Sequence, residues 1–204
     1  MRTKPPKLIR RRNVILAAPA IFSAPSVMAA IATPPQPEGP FYPRAIPEDS
    51  DADLTRFGDR TLDGEVIEIS GQVFDLKRRP IPGTTVEIWH CDQNGIYPHV
   101  GRNNGGLANP YFQGFGAVTT GPDGTYRFRT IRPGLYPGRV RHVHFKVRPN
   151  WLDTLTTQMY FPEEKGNAQD FLLNRAGNAQ SKTALIAQRT DGPPDRYVFD
   201  IFVS

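Results

Sequence analysis

The chain has 204 residues, a single cysteine and a formal charge of +5. Six Lys/Arg and no acidic residue fall within residues 1–30, so residues 31–204 carry only about −1, which excludes a basic nucleic-acid surface as the reading of the charge. One cysteine excludes an internal disulfide and any Cys-based metal site or nucleophile pair, while roughly 170 residues beyond the basic start suffice for one domain with a sizeable core.

Residues 1–30 read as a signal peptide. Arg10-Arg11-Arg12 precede an apolar run from Val14 to Phe22, and small residues follow at Ala29 and Ala30, the order of basic, apolar and cleavage regions in an export leader. The run is too short to span a bilayer. Arg11-Arg12-Asn13-Val14-Ile15 resembles a twin-arginine signal, with a Sec signal as the alternative. Either route predicts an exported protein, periplasmic or extracellular, whose folded part is residues 31–204.

Residues 31–50 are Pro-rich and are expected to lie over the surface as an extended arm. Short β-rich runs follow at Val66–Phe74, Thr84–Cys91, Thr125–Ile131, His142–Val147, Thr156–Phe161 and Tyr197–Val203. Turn signals separate them: Arg79-Pro80-Ile81-Pro82-Gly83, Gly121-Pro122-Asp123-Gly124 and Arg132-Pro133-Gly134. Many short strands between such turns predict an all-β domain, a sandwich or a barrel. Helix is expected only near Gly166–Arg175 and Lys182–Ala187. The Gly/Asn-rich stretch Gly101–Asn109 reads as a long loop at a site mouth.

The most informative stretch is Tyr136-Pro137-Gly138-Arg139-Val140-Arg141-His142-Val143-His144-Phe145. On a strand, residues i and i+2 share a face, so His142 and His144 present two imidazoles to one point. The pattern alone is weak, because same-face histidines are often surface residues. Tyr136 and Tyr97 each follow a glycine by two residues and precede a proline; either alone reads as an ordinary turn tyrosine. Together, imidazole nitrogen and phenolate oxygen make a donor set suited to an oxidised, hard transition metal.

The ordered series Glu38-Gly39-Pro40-Phe41-Tyr42, Val86-Glu87-Ile88-Trp89, Gly95-Ile96-Tyr97, Phe112-Gln113-Gly114-Phe115-Gly116, Pro133-Gly134-Leu135-Tyr136-Pro137, Arg139-x-x-His142-x-His144 and Thr157-Gln158-Met159-Tyr160-Phe161 resembles the intradiol ring-cleavage dioxygenases, the family of protocatechuate 3,4-dioxygenase and catechol 1,2-dioxygenase. There is no room for the long N-terminal helical region of the catechol type, so the likeness is to the iron-bearing protocatechuate-type subunit. The resemblance implies a single-domain β-sandwich of mixed sheets with long loops. It implies one Fe(3+) held by Tyr97, Tyr136, His142 and His144, with Tyr136 released to accept a substrate proton. It implies cleavage of a catechol-type diol by O2 between the two hydroxyl-bearing carbons, giving a muconate-type diacid. Arg139 then stabilises charge on the bound ring, Gln158 orients Arg139 and the substrate, and Tyr42 lines the pocket. A homo-oligomer or pairing with a second subunit is expected, with no nucleic-acid partner and no stable membrane insertion.

Other residues carry weaker readings. His90, beside Trp89, and Cys91 read as structural, Arg141 as a surface residue, and His99 as a residue within reach of the pocket mouth. Ala117 stands where many family members carry Arg. The rival readings are a non-catalytic, transthyretin-like binding module and an extradiol enzyme, whose Fe(II) takes two histidines and a carboxylate.

Overall fold

The structure, a computed structural model, describes residues 30–204 except 58, 59, 63, 99–107 and 136. The leader read on residues 1–30 (all but Ala30), His99, most of the 101–109 loop and Tyr136 therefore lie outside the described residues. The strands are β1 (Arg56–Phe57), β2 (Arg60–Thr61), β3 (Val66–Asp75), β4 (Thr85–Trp89), β5 (Phe115–Thr119), β6 (Thr125–Ile131), β7 (His142–Arg148), β8 (Leu155–Tyr160), β9 (Gln188–Thr190), β10 (Asp195–Val198) and β11 (Ile201–Val203). Two short helices, α1 (Phe171–Arg175) and α2 (Ala179–Thr183), follow a 3-10 turn at Lys165–Gln169. The architecture is mostly β, as the short runs predicted.

One sheet is mixed. Its long strand β3 pairs antiparallel with β6 on one side and parallel with β10 and then β11 on the other, and β9 extends the β10 edge. β1 and β2 form a short antiparallel pair of their own, and the other large sheet is antiparallel in the order β5-β4-β7-β8. The two large sheets pack around one apolar cluster that takes Ile67, Ile69 and Val73 from β3, Phe128 from β6, Val86 and Ile88 from β4, and Val143, Phe145 and Val147 from β7. Alternate residues of each strand supply this core, as period-2 geometry requires. Removing that much branched and aromatic surface from water is the main stabilising term.

The segment Tyr197–Val203, expected as one strand, is two. Between them the Asp200 carboxylate accepts the Gln72 N–H at 3.0 Å in place of a ladder carbonyl. Gly71 lies where a side chain would collide with the Phe199 carbonyl. β5 carried no alternation in sequence because Gly116 must be small: a Cβ there would sit 2.6 Å from Leu54 and 2.7 Å from the Asp51 carbonyl. The second helix starts earlier than expected. Asn178 caps it through the Ser181 N–H at 2.9 Å, and the Leu185 carbonyl is drawn away to the Tyr160 N–H at 2.8 Å, so residues 184–187 leave the helix and bridge to β8.

The Pro-rich arm is extended and pinned along its length. Thr33 N–H donates to the Phe202 carbonyl and Gln36 N–H to the Thr156 carbonyl, each at 2.9 Å. The Thr157 hydroxyl donates to the Pro34 carbonyl at 2.8 Å and Gln158 Nε2 to the Pro37 carbonyl at 3.0 Å. The arm thus runs from the β11 edge to β8 and delivers residues 37–42 over the polar face of β7.

Candidate functional site

The site is built on β7 and the strands that flank it. His142 stands opposite Tyr160 of β8, and His144 stands between Gln158 of β8 and Trp89 of β4. The His142 and His144 ring centres are 4.9 Å apart, so the shared face expected from their spacing is present. The His144 ring lies flat on Trp89, 4.8 Å away with planes 11° apart. Tyr97 is buried in the loop after β4, with its ring 6.4 Å from that of His144. It stacks on Phe41 of the arm at 4.3 Å.

These groups border a cavity of about 310 Å³, lined by Pro37, Gly39, Pro40, Phe41, Tyr97, Pro137, Gly138, Arg139, His142, His144, Gln158, Phe171 and Leu172. A larger open cleft of about 910 Å³ lies against α2 and β11, but none of the imidazoles or Arg139 reaches it.

Both imidazoles are neutral. Burial, helped by the positive charge of Arg139, lowers His142 to about 4, and burial together with His142 and Arg139 takes His144 well below its ordinary value. His142 Nδ1–H donates to the Val140 carbonyl at 2.7 Å, which leaves the lone pair on Nε2. His144 Nδ1 is buried with no hydrogen-bond partner among the described residues. A buried imidazole nitrogen left unpaired at the cavity wall fits a metal ligand. No cluster of three His, Cys, Asp or Glu occurs among the described residues; the third group here is a phenol. Two neutral imidazoles and tyrosine oxygen fit a ferric ion by hardness and by charge.

Arg139 follows the turn made by Gly138, whose φ is +79°. Its Nε donates to Asp170 Oδ2 at 2.8 Å, and its Nη2 donates to Gln158 Oε1 at 2.8 Å and to the Tyr160 hydroxyl at 3.0 Å. Gln158 thus touches Arg139 as expected. Asp170 and Tyr160 were not singled out in the sequence, although Asp170 precedes the apolar start of a helix, a usual cap position, and Tyr160 shares a strand face with Gln158. Asp170 also accepts the N–H of Leu172 and Leu173 at the start of α1. Burial pushes its carboxyl up, but the Arg139 hydrogen bond and the Leu173 and Val140 N–H groups outweigh burial and lower it.

Tyr42 does not line the cavity. Its hydroxyl donates to Glu87 Oε2 at 2.9 Å and accepts from Arg148 Nη2 at 3.0 Å, and Lys146 Nζ sits 3.4 Å over its ring. Glu87 and Arg148 draw the phenol away from the cavity, and its neighbour Phe41 takes the lining position. His90 is structural: it is buried between the Cys91 carbonyl and the Thr130 hydroxyl, each at 2.8 Å. Burial raises the Cys91 thiol to about 12, so it is inert at neutral pH. Arg141 is half-buried against Glu164, at 2.7 Å, and the Pro133 carbonyl.

A family model described as Dioxygenase matches residues 37–202. The chain is 36% identical over 115 residues to the protocatechuate 3,4-dioxygenase beta chain of Burkholderia cepacia, covering 52% of this chain and 49% of that one. It is 28% identical over 196 residues to catechol 1,2-dioxygenase of Acinetobacter baylyi, covering 83% and 61%. It therefore spans about half to three fifths of the length of these two relatives. Among solved structures, the dioxygenase domain of a dioxygenase carbohydrate-binding protein fusion from Streptomyces sp. SirexAA-E superimposes with a TM-score of 0.68 at 32% identity, covering 85% of this chain and 99% of that one. With the match running over most of the sequence and through both histidines, the chain belongs to the intradiol ring-cleavage dioxygenase family.

Proposed function

We propose that the protein is a non-haem ferric dioxygenase that inserts both atoms of O2 into a catechol-type diol and opens the ring between the hydroxyl-bearing carbons to a muconate-type diacid. The observation that carries this reading is the convergence of two neutral, buried imidazoles and Tyr97 on the cavity that also receives Arg139. Tyr97, His142 and His144 would hold Fe(3+) with Tyr136, whose place in the set rests on the family likeness. Bound there, the ion supplies Lewis-acid polarisation of the diol oxygens and withdraws electron density from the ring.

The residues of the chain do the rest. Phe41, Pro40 and Leu172 keep the ring pocket dry, which strengthens each electrostatic contact within it. Arg139 is held rigid by Asp170, Gln158 and Tyr160 and offers a preorganised positive charge to developing negative charge on the ring. Tyr136 accepts a substrate proton as the diol binds. Among the described residues Arg139 is the only cation lining the cavity, and Asp170 already pairs with it. The remaining described walls are glycine, proline and apolar side chains with the polar but uncharged groups of Tyr97, His142, His144 and Gln158. We therefore assign as substrate a catechol whose other ring positions carry no charge. Export through the leader in residues 1–30 and assembly with a further copy or a second subunit complete the proposal; the pairing is supported by the likeness to a chain designated beta.

The test is the visible spectrum of the iron-loaded protein before and after anaerobic addition of catechol. A broad phenolate-to-iron band that shifts on binding is expected, with turnover of catechol and 4-methylcatechol favoured over protocatechuate by about 10-fold or more. A colourless iron-loaded protein, unaffected by Tyr97→Phe, overturns the reading in favour of a binding module.

A further inference from the structure

We propose that Asp92 is a positioning residue that sets the spacing between the loop of Tyr97 and the segment leading into Tyr136. The proposal rests on the ferric reading above only for its catalytic meaning.

Asp92 follows β4 by three residues and is fully buried. Its Oδ1 accepts the N–H of Asn94 at 2.8 Å and of Ile96 at 2.9 Å, and its Oδ2 accepts the N–H of Asn109 at 2.9 Å. Its backbone adds three bonds: N–H to the Ile96 carbonyl at 2.8 Å, and carbonyl from Gly95 N–H at 3.1 Å and from Gly134 N–H at 2.8 Å. One residue therefore closes the turn that presents Tyr97, ties down the chain at Asn109, and clamps the backbone two residues before Tyr136. A carboxylate satisfied by several backbone N–H groups makes charge-assisted bonds, stronger than neutral ones.

A second observation points to the same joint. Gly134 packs so tightly on the Tyr97 loop that a Cβ would touch the Gln93 carbonyl oxygen, sit 2.5 Å from the Gly95 nitrogen and sit 2.7 Å from the Gln93 carbonyl carbon. Backbone meets backbone at this point, so no side-chain rearrangement could relieve a methyl group there. Gly95, at φ +81°, makes the turn that allows the approach. Two ligands supplied by separate loops need such a tie, because a metal site tolerates displacements of only about half an ångström.

The experiment compares Asp92→Ala, Asp92→Asn and Gly134→Ala with Val203→Ala, a core variant remote from both loops, in the full chain before and after iron loading. Asp92→Ala keeps the main-chain bond to Gly134 but frees the Tyr97 turn and Asn109 that hold that carbonyl in place, so amide exchange in residues 94–97 and 134–138 is expected to speed up together by about tenfold. The phenolate-to-iron absorbance per chain should fall by about fivefold or more. Asp92→Asn should lie between, since one amide oxygen retains the Asn94 and Ile96 bonds. Gly134→Ala should disturb both segments, and Val203→Ala neither, at a comparable loss of thermal stability. Exchange that quickens only at 94–97, or in neither segment, overturns the proposal whatever the colour. Coupled loosening in a protein whose wild type is colourless leaves the tie standing and removes the ferric reading instead.

Discussion

Strands β6 and β7 alternate in the same way in sequence and end in opposite situations. In β6, Thr125, Arg127 and Arg129 face solvent while Tyr126, Phe128 and Thr130 are buried. In β7, Val143, Phe145 and Val147 enter the core, yet His142, His144 and Lys146 on the other face are buried as well. The difference is a cover. Among the described residues no segment roofs Arg127 of β6, and the Arg129 side chain meets only Asp53 at 3.9 Å, whereas the arm brings Pro37 to Gln158, Glu38 to Lys146, Gly39 to the cavity wall that His144 also lines and the Tyr42 ring under Lys146. A polar face roofed by a second segment becomes a site, because burial then shifts ionisation and strengthens each pairing.

Breaking the roofed face at its chemical centre should have the largest effect. His144→Ala and Tyr97→Phe are each expected to weaken iron binding by more than about 100-fold, read by metal titration and by loss of the visible band. Equal iron affinity in both variants would reduce the face to a packed sheet like that of β6.

Next comes the support of Arg139. Asp170→Ala strips a buried guanidinium of its carboxylate and should cost about 3–5 kcal/mol in denaturant unfolding, with a fall in kcat larger than the change in KM. Because the folded pKa of Asp170 is lowered, its contribution is complete above the ordinary carboxylate range and drains as pH falls through the folded value. Urea midpoints of Asp170→Asn should accordingly lose part of the acid slope seen in the wild type.

The smallest effects separate the two faces most cleanly. Lys146→Ala removes an ion pair to Glu38 and a cation seated on the Tyr42 ring, and should cost about 1–2 kcal/mol while making the arm accessible to limited proteolysis. Arg127→Ala, at the corresponding solvent face of β6, should stay within about 0.5 kcal/mol of wild type. Equal losses in the two variants would mean that the arm does not seal β7.

Much of this architecture was legible in the sequence. Period-2 runs located the strands of the core, since a buried face leaves its mark as alternating apolar residues. The His-x-His spacing placed both imidazoles on one side by strand geometry alone. The family likeness pointed to Tyr97, Arg139 and Gln158, which the structure brings to one cavity. β5 was illegible because its composition answers to close backbone approach at Gly116 rather than to alternation. The break at Phe199–Asp200 was illegible because a side-chain carboxylate replaced a ladder carbonyl.

The sequence by itself therefore determined the class of fold, the shared face of His142 and His144 and the family, all of which rest on local periodicity or on ordered motifs. Only the tertiary structure decided that Phe41 rather than Tyr42 lines the cavity, that Asp170 and Tyr160 hold Arg139, and that Asp92 ties the Tyr97 loop to Gly134. Those facts depend on contacts between residues far apart in the chain, and no local pattern records which distant partner a side chain will meet.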